Sequence, residues 1–269
     1  NIVGKYGPHI QLLLKKAGGI LDQIKYICPL HGPVWRENLG WFIGKYDTWS
    51  RYAPEEKGVL IVYASMYGNT ENAAQALAAR LCDKGMSRVA LYDVSSTHVS
   101  QLISEAFKYS HIVLASVTYN LGIYPAMHDF LMDMKALNLQ NRTFALIENG
   151  SWAVKSGDLM QKFVNDELKN MTVLNERLSL ASSLGEDKAV ELETLAGTDC
   201  DLPLPRDART GAVITVDSFV GRGAHWSYST LSKAPCLPVA AILYWLADSL
   251  AGAERRTLQS CPEAMQLAA

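Results

Sequence analysis

The sequence predicts an α/β fold, a doubly wound sheet of five parallel strands sandwiched between two helical layers. Three observations predict it. From Lys57 onward, runs rich in Val and Ile alternate with longer stretches of helical period. Five such runs are each followed by a helix, and right-handed βα units wind helices onto both faces of a sheet. The turns that close the first, third and fourth strands are rich in Gly, Asn, Ser and Thr, and in such sheets ligands sit at the carboxyl ends of the strands.

The elements follow in order. "GVLIVYA" (58–64) is the first strand, and a helix from Asn69 to about Lys84 follows it. "RVALYDV" (88–94) is the second strand, leading to a helix near Val99–Phe107; "HIVLASV" (111–117) is the third, with a helix from Pro125 to Leu137. "RTFALIE" (142–148) and "TVLNERLSLA" (172–181) are the fourth and fifth strands, separated by a helix over 156–170, and a last helix spans Glu186–Ala196.

The flanks read differently. Residues 1–50 hold a helix "IQLLLKKAG", a strand "IKYICPL" and the aromatic-rich "WRENLGWFIGKYDTWSRY", after which "APEEKG" reads as a linker. After residue 197 the Pro, Gly and Asp turn signals of "GTDCDLPLPRDARTG" precede a strand candidate, "AVITVDSFV". The expected division is 1–50, 57–197 and an unassigned extension, 198–269, which is either an unrelated appendage or an out-of-frame translation.

Composition narrows the function classes. With 49% hydrophobic and 19% charged residues and a net charge of -2, the 269-residue chain has material for a large core and lacks a basic nucleic-acid footprint. Cys28, Cys82, Cys200, Cys236 and Cys261 are odd in number and form no CxxC pair, against a disulfide framework or zinc knuckle and in keeping with a reducing cytoplasm. The apolar stretch at 236–253 is shorter than the ~20 residues of a spanning helix and carries Asp248, so a buried or interfacial helix is expected and no membrane partner. The opening "NIVGKYGPHI" has no Met and no signal-peptide character, and the chain is expected to be a fragment.

The turn "ASMYGNT" joins the first strand to its helix. Unpaired amides at a helix start, together with the helix dipole, favour an anion. Ser65, Asn69 and Thr70 add hydrogen bonds without bulk, and Gly68 allows tight curvature. The GxxxxGK[ST] lysine of phosphoryl-transfer loops is missing, so the turn binds a phosphate and does not transfer it. The competing reading is that Ser65, Asn69 and Thr70 only cap the helix. "SVTYNLGIYP" (116–125) and "ENGSWAVKSG" (148–157) bring Tyr119 and Trp152 to the same edge, where aromatics beside glycine and amides suit a flat heteroaromatic ring; the alternative is plain packing.

"SMYGNT", "SVTYNLG" and "ENGSWA" resemble the three FMN loops of the flavodoxin family, and more closely those of the flavodiiron proteins. "ICPLHGPVWRENLGWFIGKYDTWSRYAPEEKG" resembles the end of that family's metallo-β-lactamase-like domain with its linker; the resemblance covers about residues 5–197. It implies a flavodoxin-like fold with FMN phosphate at Ser65, Met66, Tyr67, Gly68, Asn69 and Thr70. The ring would lie against Thr118, Tyr119, Asn120 and Gly122 on one loop and Asn149, Gly150, Ser151 and Trp152 on another.

The resemblance also makes His31 the last ligand of a diiron centre, a cofactor of the full-length architecture whose HxExDH motif this sequence lacks, so His31 is expected to be metal-free here. His9, His98, His111, His128 and His225 show no ligand spacing and are expected to be structural or exposed. Implied partners are a rubredoxin or an NAD(P)H-dependent reductase, with a homodimer as a further possibility. The function expected is the electron-transfer module of a truncated flavodiiron oxygen or nitric oxide reductase. A self-contained NAD(P)H:quinone reductase and a vacant interaction module are the alternatives.

Overall fold

The structure is a computed structural model that describes residues 4–199. Helices α1 (Gly7–Ala17) and α2 (Leu39–Ser50) precede the alternating region. Then come β1 (Glu56–Ala64), α3 (Asn69–Asp83), β2 (Val89–Asp93), α4 (Val99–Lys108), β3 (Tyr109–Tyr119) and the two-residue β4 (Gly122–Ile123). The chain continues with α5 (Pro125–Ala136), β5 (Thr143–Asn149), α6 (Ser156–Glu167), β6 (Thr172–Leu180) and α7 (Ala189–Asp199).

The main sheet is parallel in the order β2-β1-β3-β5-β6. Crossing from β1 to β2 runs one way and from β1 to β3 the other, so the direction of winding reverses between β1 and β3. The loops that leave two neighbouring strands there diverge to opposite faces and open a crevice.

Period-two alternation divides the sheet's side chains. Val59, Ile61 and Tyr63 of β1 pack with Ala73, Leu77 and Leu81 of α3 and Leu195 of α7 on one face. Leu60 and Val62 pack with Leu102 of α4, Phe130 of α5 and Met160 of α6 on the other. Both faces of the central strands are covered, which is why they read as continuous apolar runs.

Three expectations need correction. Residues 24–30 form no strand: Ile27 makes a single antiparallel bridge to Trp35, because that stretch has no longer partner with which to build a ladder. The 53–58 stretch is no free linker either. β1 already begins at Glu56, and the Glu55 carboxylate accepts from Trp49 Nε1 and pairs with Lys45. Third, β3 extends to Tyr119, beyond the apolar run that predicts it, because β4 gives its end a partner. The strand candidate at 212–220, the apolar stretch at 236–253 and His225 lie outside the described residues. Among the described residues no helix is long and apolar enough to cross a membrane.

Residues 4–50 are packed onto this core. Ile10 is buried, Trp49 leans on the face that holds Phe107 and Tyr109, and Gln11 Nε2 donates to Asp47 Oδ1 at 2.9 Å, tying α1 to α2. A cavity of about 150 Å³ between this segment and α4 is lined by Ile10, Tyr46, Trp49, Glu55, Ile103 and Phe107. It sits at the amino ends of the strands, away from the loops discussed next.

Candidate functional site

Ala64 pairs with Ser116, and Val117 with Asn149, so the carboxyl ends of β1, β3 and β5 lie side by side. The three loops singled out in the sequence therefore meet at one edge, beside the reversal of winding.

The first loop turns sharply. Gly68 has φ +86°, a left-handed conformation that a side chain would strain, and its amide donates to Ser65 Oγ at 3.1 Å. It is also the N-cap of α3, and no side chain caps that helix. Ser65, Asn69 and Thr70 thus do not act as caps, and the amides of the first turn stay available. The acidic residue of that turn, Glu71, is held back by Tyr63 Oη at 3.3 Å and Gln75 Nε2 at 3.1 Å. Met66 and Tyr67 project into solvent.

Thr70 is only 1% exposed. Its Oγ1 accepts from Asn149 Nδ2 at 3.3 Å, and its hydroxyl hydrogen meets no acceptor among the described residues. A buried donor left unmade costs about 1–3 kcal/mol, so such an atom calls for a ligand.

The second loop is a two-residue hairpin: Tyr119 pairs with Gly122 across Asn120 (φ +47°) and Leu121 (φ +60°), the geometry of a type I′ turn. It presents Tyr119 and Leu121 outward, and Tyr119 meets Tyr124 edge-on at 6.0 Å. Thr118 faces inward, where its Oγ1 accepts from the amides of Lys155 at 3.0 Å and Ser156 at 3.1 Å, joining the second loop to the third. A β-carbon at Gly150 would collide with the carbonyl of Ala153, so the third loop is tightly folded. Trp152 at its tip is fully exposed, so packing does not explain it, and Ser151 beside it is exposed too.

Asn149, which the resemblance assigns to the ring, ends β5 at the same strand edge. Its side chain points at Thr70 of the phosphate turn and at the backbone of Ser182.

Sequence reasoning missed Ser182, which follows β6 and has φ +138°; its Oγ accepts from Asn69 Nδ2 at 3.4 Å. It also missed Ser156, whose Oγ donates to the Ser116 carbonyl at 2.7 Å. The one available signal was position, since "ASSLG" leaves the carboxyl end of a strand. Behind the third loop, Glu148 accepts from Gly157 N, Arg177 Nη1 and Ser179 Oγ, and a hydrogen bond from Arg177 holds the Asp158 carboxyl below its ordinary pKa.

His31 is exposed in the loop that precedes Trp35. Among the described residues no group of three or more His, Cys, Asp or Glu side chains gathers to hold a metal. A lone imidazole does not fit a diiron centre, which needs several carboxylates and imidazoles. His98 accepts from Ser100 N at the start of α4, and His128 meets Phe163 edge-on.

The residues at the strand edge do fit FMN. An uncapped helix start and a buried hydroxyl with a free hydrogen suit a phosphate monoester. Exposed Tyr119 and Trp152 suit a ring that must be covered from water.

Comparison with known proteins agrees. The Flavodoxin family matches residues 61–179. The chain is 29% identical to the rubredoxin-oxygen oxidoreductase of Megalodesulfovibrio gigas over 166 residues, which are 61% of this chain and 41% of that protein. It is 30% identical to the nitric oxide reductase of Moorella thermoacetica over 165 residues, 60% of this chain and 40% of that protein. The chain thus spans about two fifths of either relative. The solved rubredoxin oxygen:oxidoreductase of Desulfovibrio gigas superposes with a TM-score of 0.64 and 27% identity over 74% of this chain and 49% of that one. The flavodiiron protein of Giardia intestinalis, at 24% identity and a TM-score of 0.67 over 75% of this chain and 48% of that one, shares the fold. Sheet order, strand-edge loops and these relatives taken together show that the chain carries a flavodoxin-like α/β domain similar to that of the flavodiiron proteins.

Proposed function

We propose that residues 57–197 hold one FMN without a covalent bond and that the domain relays electrons from a redox protein, a rubredoxin or an NAD(P)H-dependent reductase, toward the oxygen- or nitric oxide-reducing centre of a longer assembly. FMN, when bound, supplies the capacity to take up and release electrons singly or in pairs.

This chain's residues do the rest. The first-turn amides of α3 and the hydroxyls of Ser65 and Thr70 bind the phosphate. With no lysine or arginine in the 65–70 turn, the helix dipole and these donors provide the attraction. Tyr119 and Trp152 cover the ring and exclude water from it. Thr118, by accepting both the Lys155 and Ser156 amides, keeps the two ring loops at a fixed separation. Because His31 stands without companion ligands among the described residues, no step at a metal is assigned to it.

The observation that carries this reading is Thr70, buried beneath an uncapped helix start with its hydroxyl hydrogen unused. The test is reconstitution of the purified chain followed by titration with FMN and with riboflavin. One FMN per chain, bound more tightly than riboflavin, is expected; equal affinity for the two removes the phosphate site and with it the reading.

A further inference from the structure

Asn149 is the last residue of β5 and is 3% exposed. Its carboxamide forms a two-point pair with the backbone of Ser182: Nδ2 donates to the carbonyl at 2.8 Å and Oδ1 accepts from the amide at 3.1 Å. That pair can be made only one way round. The backbone donor must face the oxygen and the backbone acceptor must face the nitrogen, so the orientation of the amide is fixed by geometry. The same Nδ2 has a second hydrogen, and Thr70 Oγ1 lies 3.3 Å from it.

A hydroxyl carries one hydrogen and two lone pairs. With Asn149 donating to one of those lone pairs, Thr70 Oγ1 cannot turn its own hydrogen toward Asn149, and that hydrogen is directed elsewhere. A phosphate at neutral pH offers chiefly acceptors. We infer that Asn149 is a positioning residue that sets the direction of hydrogen bonding in the phosphate turn: by presenting a donor to Thr70 it leaves the hydroxyl hydrogen free to be donated to the FMN phosphate. This rests on the FMN reading above and adds to it a residue that, through Thr70, contributes to the preference for FMN over riboflavin.

Two further features fit. Ser182 keeps φ +138°, a conformation that is costly for a side-chain-bearing residue and persists only where its surroundings over-determine it. The two bonds from Asn149 provide that constraint. Asn69 Nδ2, one residue before Thr70, reaches Ser182 Oγ at 3.4 Å, so the loop after β6 touches the phosphate turn at a second point. Asn149 thus links the ends of β1, β5 and β6. The competing account is a plain staple: the carboxamide ties down the loop after β6 and has no bearing on ligand choice. A staple, once cut, lowers the melting temperature and weakens FMN and riboflavin alike.

Asn149→Asp separates the two accounts. A carboxylate cannot donate to Thr70; the hydroxyl donates to it instead and is lost to the phosphate, and a negative charge is placed next to another. The ratio of riboflavin to FMN dissociation constants, measured by fluorescence titration of the full chain, is expected to fall at least tenfold, which corresponds to about 1.4 kcal/mol. Asn149→Ala, which removes the donor without adding charge, should lower the ratio less and serves if the Asp variant does not fold. In a Thr70→Val background the Asn149→Ala change should leave the ratio where Thr70→Val alone puts it, because both act through one hydroxyl. An unchanged ratio in the Asn149 variants, or a further fall in the Thr70→Val background, overturns the inference. A parent chain with no preference for FMN overturns the cofactor reading itself, so the two failures are told apart.

Discussion

Arg142 Nη1 donates to the carbonyl oxygen of Tyr52 at 2.8 Å, so the segment that precedes β1 is held by a side chain from the start of β5. The guanidinium, 2% exposed, also reaches the carbonyls of Ala106, Phe107, Gln140 and Asn141, and among the described residues it makes no ion pair with a carboxylate. Burial pulls its pKa down to about 10, with Glu55 opposing the shift, and the charge is retained at neutral pH. Replacing Arg142 with Met keeps the side chain's length and apolar stem but takes the guanidinium donor from the buried carbonyls of Ala106 and Phe107, while Asn141 Nδ2 still reaches that of Tyr52. The expected loss, from ~1–3 kcal/mol for each orphaned group with partial relief by water, is about 3 kcal/mol. Urea unfolding measures it, and a loss of less than about 1 kcal/mol, within the range of ordinary substitutions, would show that the carbonyls do not depend on Arg142.

Thr70→Val is nearly isosteric and removes only the hydroxyl. FMN binding should weaken by about 1–3 kcal/mol, the value of a hydrogen bond to a charged group, while riboflavin binding stays close to that of the parent chain. Thr70→Ser should restore most of the difference. Competitive titration with the two flavins reads this directly, and equal weakening of both would assign Thr70 to packing alone.

Trp152 makes no packing contact that its removal could cost, since it is fully exposed. Trp152→Ala should therefore leave the melting temperature of the flavin-free protein unchanged. FMN should be held less tightly by about 0.5–1.5 kcal/mol for the lost stacking, on top of the lost burial. A drop in melting temperature without change in affinity would place the indole under the loop and off the ring.

Gly68→Ala meets open space, yet it forces a side chain into φ +86°, at a cost of about 1–2 kcal/mol. The strain falls on the phosphate turn, so FMN affinity should fall by more than global stability does. Gly40, where an added methyl group also meets nothing, is the control and should tolerate Ala. Similar effects at both positions would mean that the turn's conformation is not under constraint.

Burial lowers the pKa of His111, on β3 beside Ser110, below its ordinary 6.5. Above that value the imidazole is neutral in both folded and unfolded chains. As pH falls below about 6.5 the unfolded imidazole takes up a proton and the folded one resists, so stability drops until the folded group titrates as well. The parent chain should lose melting temperature between pH 7 and the folded pKa faster than His111→Gln does; parallel curves would exclude this histidine as the cause.

The alternation of Val- and Ile-rich runs with helical stretches determined the layered fold from the sequence alone, because strands covered on both faces must be apolar at nearly every position. The small-residue turns after β1, β3 and β5 were legible for a related reason, since their chemistry is local: Gly68 curves the chain and Asn120 tolerates a left-handed backbone. Where local pattern and tertiary pairing compete, the sequence misled. Ile24–Leu30 has strand-like residues and finds no ladder, and Glu55 and Glu56, polar enough to suggest a linker, are held by Trp49, Lys45 and Arg88. Only the tertiary structure decided that Asn149 faces Thr70 and Ser182. That contact depends on β5 lying two strands from β1 and next to β6, and hydrogen bonds spanning 79 and 33 residues leave no periodicity in the chain. The same holds for Arg142, whose charge is accommodated because α4, the segment ending at Tyr52 and the start of β5 converge and turn carbonyls toward one point, an arrangement that exists only once the chain has folded.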